Sequence, residues 1–543
     1  MEERIRKAVG EALGTSVSFA VERPSDMAHG DYAVNAAMVA AKALGKNPRE
    51  LADTLVHALK EALGTDVAKI EVAGPGFINI TLAHAAVSEI VAHAATENWG
   101  KGNGEAGKRV LLEYSNPNAF KEMHAGHLVG TVIGEALSRF IENSGAIVIR
   151  DTFGGDIGPN VAKALWGLQK NKNLEPMNAK EIGAAYTLGS NAYETDEEAK
   201  KEIDALNQAI YAGNDEAVMD LWRRGREISM EEFRRIWKLL GTHFDYEFFD
   251  SDTTETGVRV VRDGLAKGIF KMSDGAIIYD GEPKGVHTMV FITSHDTPTY
   301  EAKAIGLAFL KEERVQSDEI IILTGNEQTG RFKTVLAALS DIAPLVSKKM
   351  RHLATGFLKL TTGKMSSREG NVITAAELLE DVMKRASEKN ADPLIAEQVA
   401  VGAVKYMILR QSPGADIIFD PEKSLSLEGD SGPYLQYALV RAKKILAYEG
   451  NGEGGSESPE APYAVERLVI HFPRIAARAS AELAPQLLVN YLTELAASWN
   501  HFYATEQILG SKEEMYKQKM AHAFAHTMER GLTLLGIPAP ERM

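Results

Sequence analysis

The segment Arg109-Val110-Leu111-Leu112-Glu113-Tyr114 is a short apolar run of the kind that forms a buried β-strand. Helical periodicity follows from Gly126 to Asn143, and a second strand-like run occupies Ala146 to Thr152. A strand, a helix and a second strand in this order predict a βαβ unit, which requires a parallel sheet with a right-handed crossover. We therefore expect the centre of the chain to be a nucleotide-binding α/β domain.

The sequence on either side of this unit predicts two further domains. Residues 1–104 alternate helix-like stretches with short β-branched runs and end at a glycine-rich linker, which predicts a small α+β domain. Residues 105–423 form the predicted α/β domain, interrupted at about 161–241 by a charged helical insertion. Residues 424–543 have helical periodicity, and a glycine-rich break at 450–455 predicts a mobile loop within a terminal helix bundle.

Composition restricts the class of protein. The 543 residues suffice for about three or four domains. Hydrophobic residues make up 45% and charged residues 25%, values that are ordinary for soluble globular proteins and argue against disordered, collagen-like and coiled-coil classes. The sequence contains no apolar run long enough to span a membrane and opens with an amphipathic helix pattern, so we expect a cytoplasmic protein without membrane contact.

Charge and cysteine content exclude several functions. Cysteine is absent, which removes disulfides, thiolate nucleophiles and cysteine-bound zinc. The chain has 60 Lys and Arg against 75 Asp and Glu, and the stretch from Leu425 to Met543 has 11 against 14. A nucleic acid would therefore be bound through a local surface and not through overall charge.

The connection between the first strand and the helix of the βαβ unit carries two histidines. It reads Glu113-Tyr114-Ser115-Asn116-Pro117-Asn118-Ala119-Phe120-Lys121-Glu122-Met123-His124-Ala125-Gly126-His127. Free backbone N–H groups and the helix dipole make such a junction a phosphate site. His124 and His127 face the same way, and Gly126 lets a flat nucleotide approach the backbone. The rings can then donate to phosphate oxygens, although capping or surface histidines remain an alternative.

A second segment combines small residues with two cations. It reads Lys364-Met365-Ser366-Ser367-Arg368-Glu369-Gly370-Asn371. This composition suits a loop that closes over a polyphosphate, and a solvated surface turn is the alternative.

Taken together, the two segments resemble the H-x-G-H element and the K-M-S-K-S loop with which class I aminoacyl-tRNA synthetases bind and activate ATP. Other motifs narrow the resemblance to arginyl-tRNA synthetases. These motifs run through nearly the whole chain and are His29-Gly30-Asp31-Tyr32-Ala33-Val34-Asn35, Gly74-Pro75-Gly76-Phe77-Ile78-Asn79, Ser115-x-Pro117-Asn118, Gly155-Asp156-x-Gly158, Thr299-Tyr300-Glu301-Ala302-Lys303 and Gly432-Pro433-Tyr434-Leu435-Gln436-Tyr437-Ala438.

The resemblance implies a Rossmann-type parallel-sheet catalytic domain, a small α+β N-terminal domain and a C-terminal all-α anticodon-binding bundle. It also implies ATP as a substrate together with Mg²⁺, to which the resemblance assigns no residue as a ligand. The implied catalytic residues are Lys121, His124, Gly126, His127, Lys364, Ser366 and Arg368. The implied ATP-binding residues are His124, Gly126, His127, Gly325, Lys364 and Met365.

For the amino acid, the resemblance implies that Asn118 contacts the backbone of arginine and that Tyr300 packs against its side chain. Glu113 is expected either to contact the ammonium group or to belong to a buried polar network. The full set of expected arginine-binding residues is Glu113, Ser115, Asn118, His124, Asp296 and Tyr300.

The sequence departs from the family pattern at two positions. The family usually has an aspartate four residues after the tyrosine, where this chain has Ala304, and Asp296, Glu301 and Glu327 are the alternative partners for the guanidinium. Ser367 stands where the loop pattern expects its second lysine. We hypothesise that Lys121, aided by Arg368, supplies the missing positive charge.

The resemblance also implies contacts with tRNA. Single-stranded bases are read by aromatic stacking and by hydrogen bonds at their edges. The candidates in the bundle are Tyr434, Gln436, Tyr437, Arg441 and Trp499, and those in the N-terminal domain are His29, Asp31, Tyr32 and Asn35. A place in the core or in a buried network is the alternative for each.

The sequence thus predicts an arginine–tRNA ligase, which forms arginyl-adenylate from ATP and L-arginine and transfers arginine to the terminal adenosine of tRNA(Arg). The family further implies that tRNA must be bound before the adenylate forms efficiently, and that the enzyme is a monomer. Two alternatives stay open: a class I adenylyltransferase for another amino acid, and a non-catalytic tRNA-binding protein of the same architecture.

Overall fold

The computed structural model describes residues 1–170, 177–361, 373–448 and 455–543. The predicted loop residues Lys364, Met365, Ser366, Ser367 and Arg368 lie outside the described residues. So does nearly all of the glycine-rich break predicted to be mobile, of which the structure describes only Gly455.

The N-terminal part of the chain is an α+β arrangement, as the sequence predicts. Its four strands form an antiparallel sheet in the order β1-β2-β4-β3. The helix at Pro48–Leu63 begins where Asn47 caps it and Pro48 occupies its first turn. The elements are α1 Glu2–Leu13, β1 Val21–Glu22, β2 Tyr32–Val34, α2 Ala36–Leu44, α3 Pro48–Leu63, β3 Val67–Ala73, β4 Phe77–Leu82 and α4 His84–His93.

The central part contains the predicted βαβ unit and its continuation. The elements up to the end of the helical insertion are β5 Arg109–Glu113, α5 Ala125–Asn143, β6 Ile147–Gly154, α6 Pro159–Lys170, α7 Ala179–Thr195, α8 Glu197–Ala212 and α9 Glu216–Leu239. The elements that follow are β7 Tyr246–Phe249, α10 Asp250–Ala266, β8 Lys271–Ser273, β9 Ala276–Tyr279, β10 Met289–Ile292, α11 Tyr300–Arg314, β11 Glu319–Gly325, α12 Thr329–Ile342, α13 Pro344–Lys349, β12 Met350–Thr355, β13 Leu358–Leu360, α14 Ala375–Lys389, α15 Pro393–Leu409, β14 Ile417–Phe419 and α16 Pro421–Ser424.

Within the described part of the chain, five strands form a parallel sheet in the order β12-β11-β5-β6-β7. The chain builds this sheet outward from β5 through β6 to β7 and then returns to the other side of β5 with β11. The strand order therefore reverses between β5 and β11, and ligands of open α/β sheets bind at the carboxyl ends of the strands beside such a reversal. This topology confirms the predicted parallel sheet and places a candidate site just beyond Glu113 and Gly325.

Helix α5 packs closely on the loop that leaves β5 because its sequence provides glycine where the contact is tightest. A Cβ atom at Gly134 would lie 2.2 Å from the ring of Tyr114, so any larger residue would push the helix away. Leu128, Val132 and Ala136 on the same helix are buried, and their burial holds α5 against the sheet.

Within the described central part, a first small sheet of three strands lies outside the parallel sheet. Strands β9 and β10 pair antiparallel, and β8 pairs antiparallel with β9. Short strands joined by tight turns pair with their sequence neighbours, so they form a separate small sheet. The predicted insertion consists of α6 to α9, whose apolar faces share a core that includes Leu165 and Ile203.

The C-terminal part is helical, as predicted. Its helices are α17 Gly432–Leu446, α18 Ala464–Val469, α19 Phe472–Ala481, α20 Pro485–Thr505 and α21 Glu514–Leu534. None of the helices described is long and apolar enough to cross a membrane.

The chain folds into two compact units that do not follow sequence order. The first comprises Met1–Gly100, Ala438–Ile475 and Leu492–Arg530, and the second comprises Lys101–Tyr437, Ala476–Tyr491 and Gly531–Met543. Within the second unit, the buried Lys405 Nζ donates to the carbonyl oxygens of Leu240, at 2.6 Å, and of Gly536. Residues near the C-terminus are therefore part of the unit that holds the parallel sheet.

Candidate active site

The loop between β5 and α5 has a strained backbone fixed by hydrogen bonds. Ser115, Asn116 and Phe120 have φ angles of 73°, 50° and 63°, which residues other than glycine rarely adopt. The side-chain oxygen of Asn116 accepts from the backbone N–H of Phe153 at 2.9 Å, which ties the loop to strand β6. Strain held in this way is characteristic of functional sites.

His124 and His127 stack on each other at the N-terminus of α5. Their ring centroids are 3.6 Å apart and the ring planes are inclined by 24°. His124 caps the helix, because its Nδ1 accepts from the backbone N–H of Gly126 at 3.1 Å. The Nδ1 of His127 lies 3.3 Å from the backbone N–H of His124, from which it accepts.

These hydrogen bonds determine which nitrogen of each ring carries the proton. Because both Nδ1 atoms accept, a neutral imidazole at either position carries its proton on Nε2. Burial lowers the pKa of His124, with Lys121 adding to the effect and Glu327 opposing it. Burial, His124 and Lys121 hold the pKa of His127 well below its usual range. At neutral pH, both rings are therefore neutral Nε2–H donors at a helix N-terminus.

Gly126 is required between the two histidines. A Cβ atom at this position would lie 2.9 Å from Cε1 of the His124 ring, so another residue would displace the capping imidazole. The glycine thus preserves the cap as well as leaving the backbone open to a ligand.

Residues 373–375 run beside the histidine motif. The backbone N–H of Ala125 donates to the carbonyl of Ile373 at 3.0 Å, and the N–H of Ala375 donates to the carbonyl of Met123 at 2.6 Å. His124 and Thr374 form an antiparallel bridge between these contacts. Residues Ile373, Thr374 and Ala375 are therefore held against the histidine motif.

Lys121 lies near the same edge of the sheet. Its Nζ lies 4.3 Å from the centre of the Tyr186 ring, within the range of a cation–π contact. The residue also lines a cavity of 360 Å³ whose walls include Glu122, Glu232 and Glu377. Burial lowers the pKa of both histidines, and the Lys121 charge adds to this effect.

Gly325 ends β11 on the other side of the strand reversal. A Cβ atom there would lie 2.4 Å from a carboxylate oxygen of Glu327. Strand β11 runs parallel to β5, so its carboxyl end lies at the edge of the sheet from which the histidine loop leaves. The Glu327 side chain is exposed, and its charge raises the pKa of His124. This is the arrangement expected of two loops that flank one ligand.

The predicted arginine-binding residues divide into two groups. Glu113 and Tyr300 line one narrow cavity of about 10 Å³ together with Ala304, Phe153 and Phe332.

The other group lies outside that cavity. Asn118 is exposed, and its Oδ1 accepts from the backbone N–H of Gly155 at 2.9 Å. Ser115 is buried, and its hydroxyl oxygen accepts from the Trp237 indole at 2.9 Å, so it fixes the loop internally.

The three acids considered as substitutes for the missing aspartate are differently placed. Asp296 is exposed and forms a 2.6 Å ion pair with Arg262. Glu301 is buried, and its carboxylate lies 2.9 Å from Nε of Arg331, while Glu327 is exposed beside His124. None of the three lines the cavity that contains Tyr300 and Ala304.

The structure instead places a buried charged group at this cavity. Glu113 pairs with Lys311, and Lys311 Nζ lies 2.7 Å from Oδ2 of Asp151. All three side chains are buried. Two adjacent charged residues, Arg150 and Asp151, within a strand run were a signal for Asp151. Nothing in the sequence distinguishes Lys311 from a solvated lysine on an amphipathic helix.

Several residues predicted to contact tRNA are held inside the protein. Asp31 pairs with Arg467 at 2.7 Å, and Tyr32 packs edge-on against His471. Gln436 and Trp499 are both completely buried. The amide nitrogen of Gln436 donates to two backbone carbonyls, and the Trp499 indole stacks on Phe524. These four residues occupy the core or network positions that were the alternative for each.

The remaining predicted tRNA contacts reach solvent at least in part. His29 is exposed and Asn35 is half-buried, its Oδ1 accepting from the backbone N–H of Ala20 at 2.8 Å. Tyr434 and Tyr437 are half-buried. Arg441 lies 3.8 Å from the centre of the Tyr503 ring and donates to Asn500.

No group of three or more His, Asp or Glu side chains within the described ranges is arranged to hold a metal ion. The helix N-terminus and the neutral histidines instead suit the phosphates of a nucleotide.

Three family models match consecutive parts of the chain. Residues 1–82 match the arginyl tRNA synthetase N terminal domain, residues 87–421 match the catalytic domain of class I tRNA synthetases (R), and residues 435–543 match the DALR anticodon binding domain.

Curated relatives resemble the chain over its full length. It is 30% identical to the arginine–tRNA ligase of Limosilactobacillus reuteri, with 100% of both chains covered. It is 28% identical to the arginine–tRNA ligase of Treponema denticola, covering 96% of this chain and 94% of the relative. Among solved structures, Thermus thermophilus arginyl-tRNA synthetase matches with a TM-score of 0.83 and 26% identity, covering 100% of this chain and 99% of that chain.

Proposed function

The chain belongs to the arginyl-tRNA synthetase family, and we propose how the residues of its site carry out the reaction of an arginine–tRNA ligase. Such an enzyme joins arginine to tRNA at the expense of ATP. The observation that carries the proposal is the pair of neutral imidazoles, both with Nε2–H as donor, at the N-terminus of α5. They stand at the strand reversal where an α/β sheet binds its ligand.

In the first step, a carboxylate oxygen of arginine attacks the α-phosphorus of ATP. A new P–O bond forms, the bond to the bridging oxygen of the β-phosphate breaks, and pyrophosphate leaves with that electron pair. His124 and His127 donate Nε2–H to phosphate oxygens on which negative charge increases. Lys121 adds a positive charge at the same edge of the sheet. No protein nucleophile is needed, because positioning and electrostatic stabilisation supply the catalysis.

In the second step, a hydroxyl of the terminal adenosine of tRNA attacks the carbonyl carbon of arginyl-adenylate. The new ester bond forms as the bond to the phosphate breaks, and AMP leaves. Lys364, Met365, Ser366 and Arg368 are proposed to contact the phosphates on the basis of the sequence resemblance alone. In the described part of the chain, Ile373 accepts a hydrogen bond from Ala125 and Thr374 forms a bridge with His124.

For amino-acid recognition, Asn118 is proposed to contact the backbone of arginine and Tyr300 to pack against its side chain. Asn118 is exposed and near Gly155, whereas Tyr300 lines the cavity with Ala304. Ser115 is proposed to act by fixing the loop, since its hydroxyl is used in internal hydrogen bonds. Asp296 is left out of the arginine site because it is exposed and paired with Arg262.

For tRNA, the proposed contacts are His29 and Asn35 in the N-terminal domain, and Tyr434, Tyr437 and Arg441 in the helical part. They are the members of the predicted set that retain some exposure. We also propose that tRNA binding precedes efficient adenylate formation, as the family resemblance implies. Mg²⁺ is proposed to enter with ATP, and the enzyme is proposed to be a cytoplasmic monomer.

The direct test is aminoacylation of total tRNA with labelled arginine, alongside a panel of the other amino acids. Charging with arginine alone is the expected result. Charging with a different amino acid would favour the adenylyltransferase alternative, and tRNA binding without charging would favour the non-catalytic one. Pyrophosphate exchange measured with and without tRNA tests the proposed order of binding, and sedimentation measures the oligomeric state.

A further inference from the structure

A buried group of three charged side chains lies at the cavity beside Tyr300, and we call Glu113, Asp151 and Lys311 the floor cluster. Glu113 ends strand β5 and faces Asp151 on strand β6 as its register partner. Lys311 on α11 reaches both carboxylates, with its Nζ 2.7 Å from Oδ2 of Asp151. All three side chains are at most 1% exposed.

The floor cluster contains one more acid than base. Other acids near Tyr300 have cations of their own within the described residues. These one-to-one pairs are Asp250 with Lys303 at 2.8 Å, Glu301 with Arg331 at 2.9 Å and Asp296 with Arg262 at 2.6 Å. Surplus negative charge beside the cavity is therefore concentrated at Glu113 and Asp151.

A surplus charge in the interior is unfavourable until a cation compensates for it. Oδ1 of Asp151 is buried without a hydrogen-bond partner in the described structure. Burial raises the pKa of Asp151, with Lys311 opposing and Glu113 reinforcing the increase. Asn116 donates to Glu113 at 3.0 Å. His352, whose pKa burial lowers, and Tyr300, whose pKa burial and Glu113 raise, also face Glu113. A permanently charged guanidinium entering the cavity would complete the charge balance.

We propose that Asp151 is a positioning residue for arginine specificity, which holds the ammonium group of Lys311 and so leaves Glu113 enough negative charge to pair with the substrate guanidinium. This inference rests on the proposed function. The proposal accounts for alanine at position 304, where the family usually has an aspartate. Here the second carboxylate beside the cavity is Asp151 on strand β6, so α11 does not have to provide one. Glu113 would contact the substrate, and Asp151 would act through Lys311.

The proposal predicts a selective defect in Asp151→Asn. Without the Asp151 charge, the Lys311 ammonium group neutralises Glu113 fully. The KM for arginine in tRNA charging should then rise by about tenfold or more. A tenfold change corresponds to an electrostatic interaction of one pKa unit. The KM for ATP should stay unchanged. Glu319→Gln is the matched control, because it removes an ion-paired acid of the same sheet on strand β11, away from the cavity.

Inhibition by citrulline separates an electrostatic role from a structural one. Citrulline has nearly the shape of arginine but a neutral side-chain end, so its inhibition constant should not change in Asp151→Asn. Equal weakening of arginine and citrulline would indicate a deformed pocket and would overturn the proposal. So would an unchanged KM for arginine.

A second variant tests the charge balance from the opposite side of the cavity. Ala304→Asp supplies a carboxylate from α11, so Asp151→Asn should raise the KM for arginine much less in that background than in the wild type. An undiminished effect in the Ala304→Asp background would contradict the charge-balance argument. Failure of the wild-type protein to charge tRNA with arginine would instead refute the proposed function, which is a separate result.

Discussion

Replacement of His127 by alanine should slow adenylate formation far more than it weakens arginine binding. The variant loses one Nε2–H donor that is held in place before the reaction, because the ring stacks on His124 at 3.6 Å and its Nδ1 accepts a backbone hydrogen bond. Removing one such preorganised donor costs about 2–4 kcal/mol in the transition state. This corresponds to a roughly 30- to 900-fold lower rate constant.

The fold should survive this substitution. The lost hydrogen bond from the His124 backbone is 3.3 Å long, and a hydrogen bond of this kind contributes about 0.5–1.5 kcal/mol to stability. The His124 cap on Gly126 does not involve the His127 ring and remains available. A rate loss without a comparable loss of stability is therefore expected.

The assay is single-turnover pyrophosphate release with tRNA already bound, measured beside the KM for arginine. His243→Ala is the matched control, since it removes an exposed imidazole of the same unit. An unchanged single-turnover rate would exclude His127 from phosphate stabilisation. A rise in the KM for arginine that accounts for the whole loss would show that the residue acts in binding.

The pH dependence of the same rate tests the protonation state. Because the pKa values of His124 and His127 are lowered, both rings are already neutral above pH 6.5, the ordinary value. The wild-type rate constant should therefore show no loss attributable to these rings between about pH 6.5 and 8. A rate that falls about tenfold per pH unit across this range, and does so only while His127 is present, would show that the charged imidazolium is the active form.

Three further predictions concern other parts of the chain. Ser367 lies outside the described residues, and Lys121 is proposed to supply the positive charge missing there. Lys121→Ala should therefore slow adenylate formation, and Lys121→Ala combined with Ser367→Lys should recover part of the lost rate. Additive effects of the two substitutions on the rate would reject the compensation. Asp31→Asn breaks a buried pair with Arg467 and should lower the free energy of unfolding in urea by about 3 kcal/mol; a change below about 0.5 kcal/mol would show that the pair contributes little. Arg441→Ala should raise the KM for tRNA and leave that for arginine unchanged, and the opposite pattern would remove Arg441 from the proposed tRNA surface.

The sequence by itself determined the architecture of the nucleotide site. The apolar run from Arg109, the helical periodicity up to Asn143 and the next strand run predict a parallel sheet, because these patterns reflect local burial and backbone preference. The spacing of His124, Gly126 and His127 predicts two imidazoles on one helical turn for the same local reason. The structure has these features where the sequence places them.

The tertiary structure decided which predicted residues remain accessible. Trp499 and Gln436 have the residue types that bind nucleic acid, yet both are completely buried, and sequence patterns do not distinguish a stacking platform from a core aromatic ring. The compact units are also a tertiary property. Gly531–Met543 belongs to the unit that contains the parallel sheet, and the carbonyl of Gly536 accepts a hydrogen bond from the buried Lys405. A truncation after Leu425 would therefore remove part of this unit as well as the helical C-terminal part.

The charge balance at the arginine cavity likewise depends on the tertiary structure. Glu113, Asp151 and Lys311 are separated by long stretches of sequence, and only the pairing of β5 with β6 and the packing of α11 bring them together. The local sequence determines the spacing of apolar residues, which distinguishes a helix from a strand, and the residue types of a short motif. The energy of a buried charge depends on every charge and dipole around it, so it is set by contacts between residues that are distant in the chain.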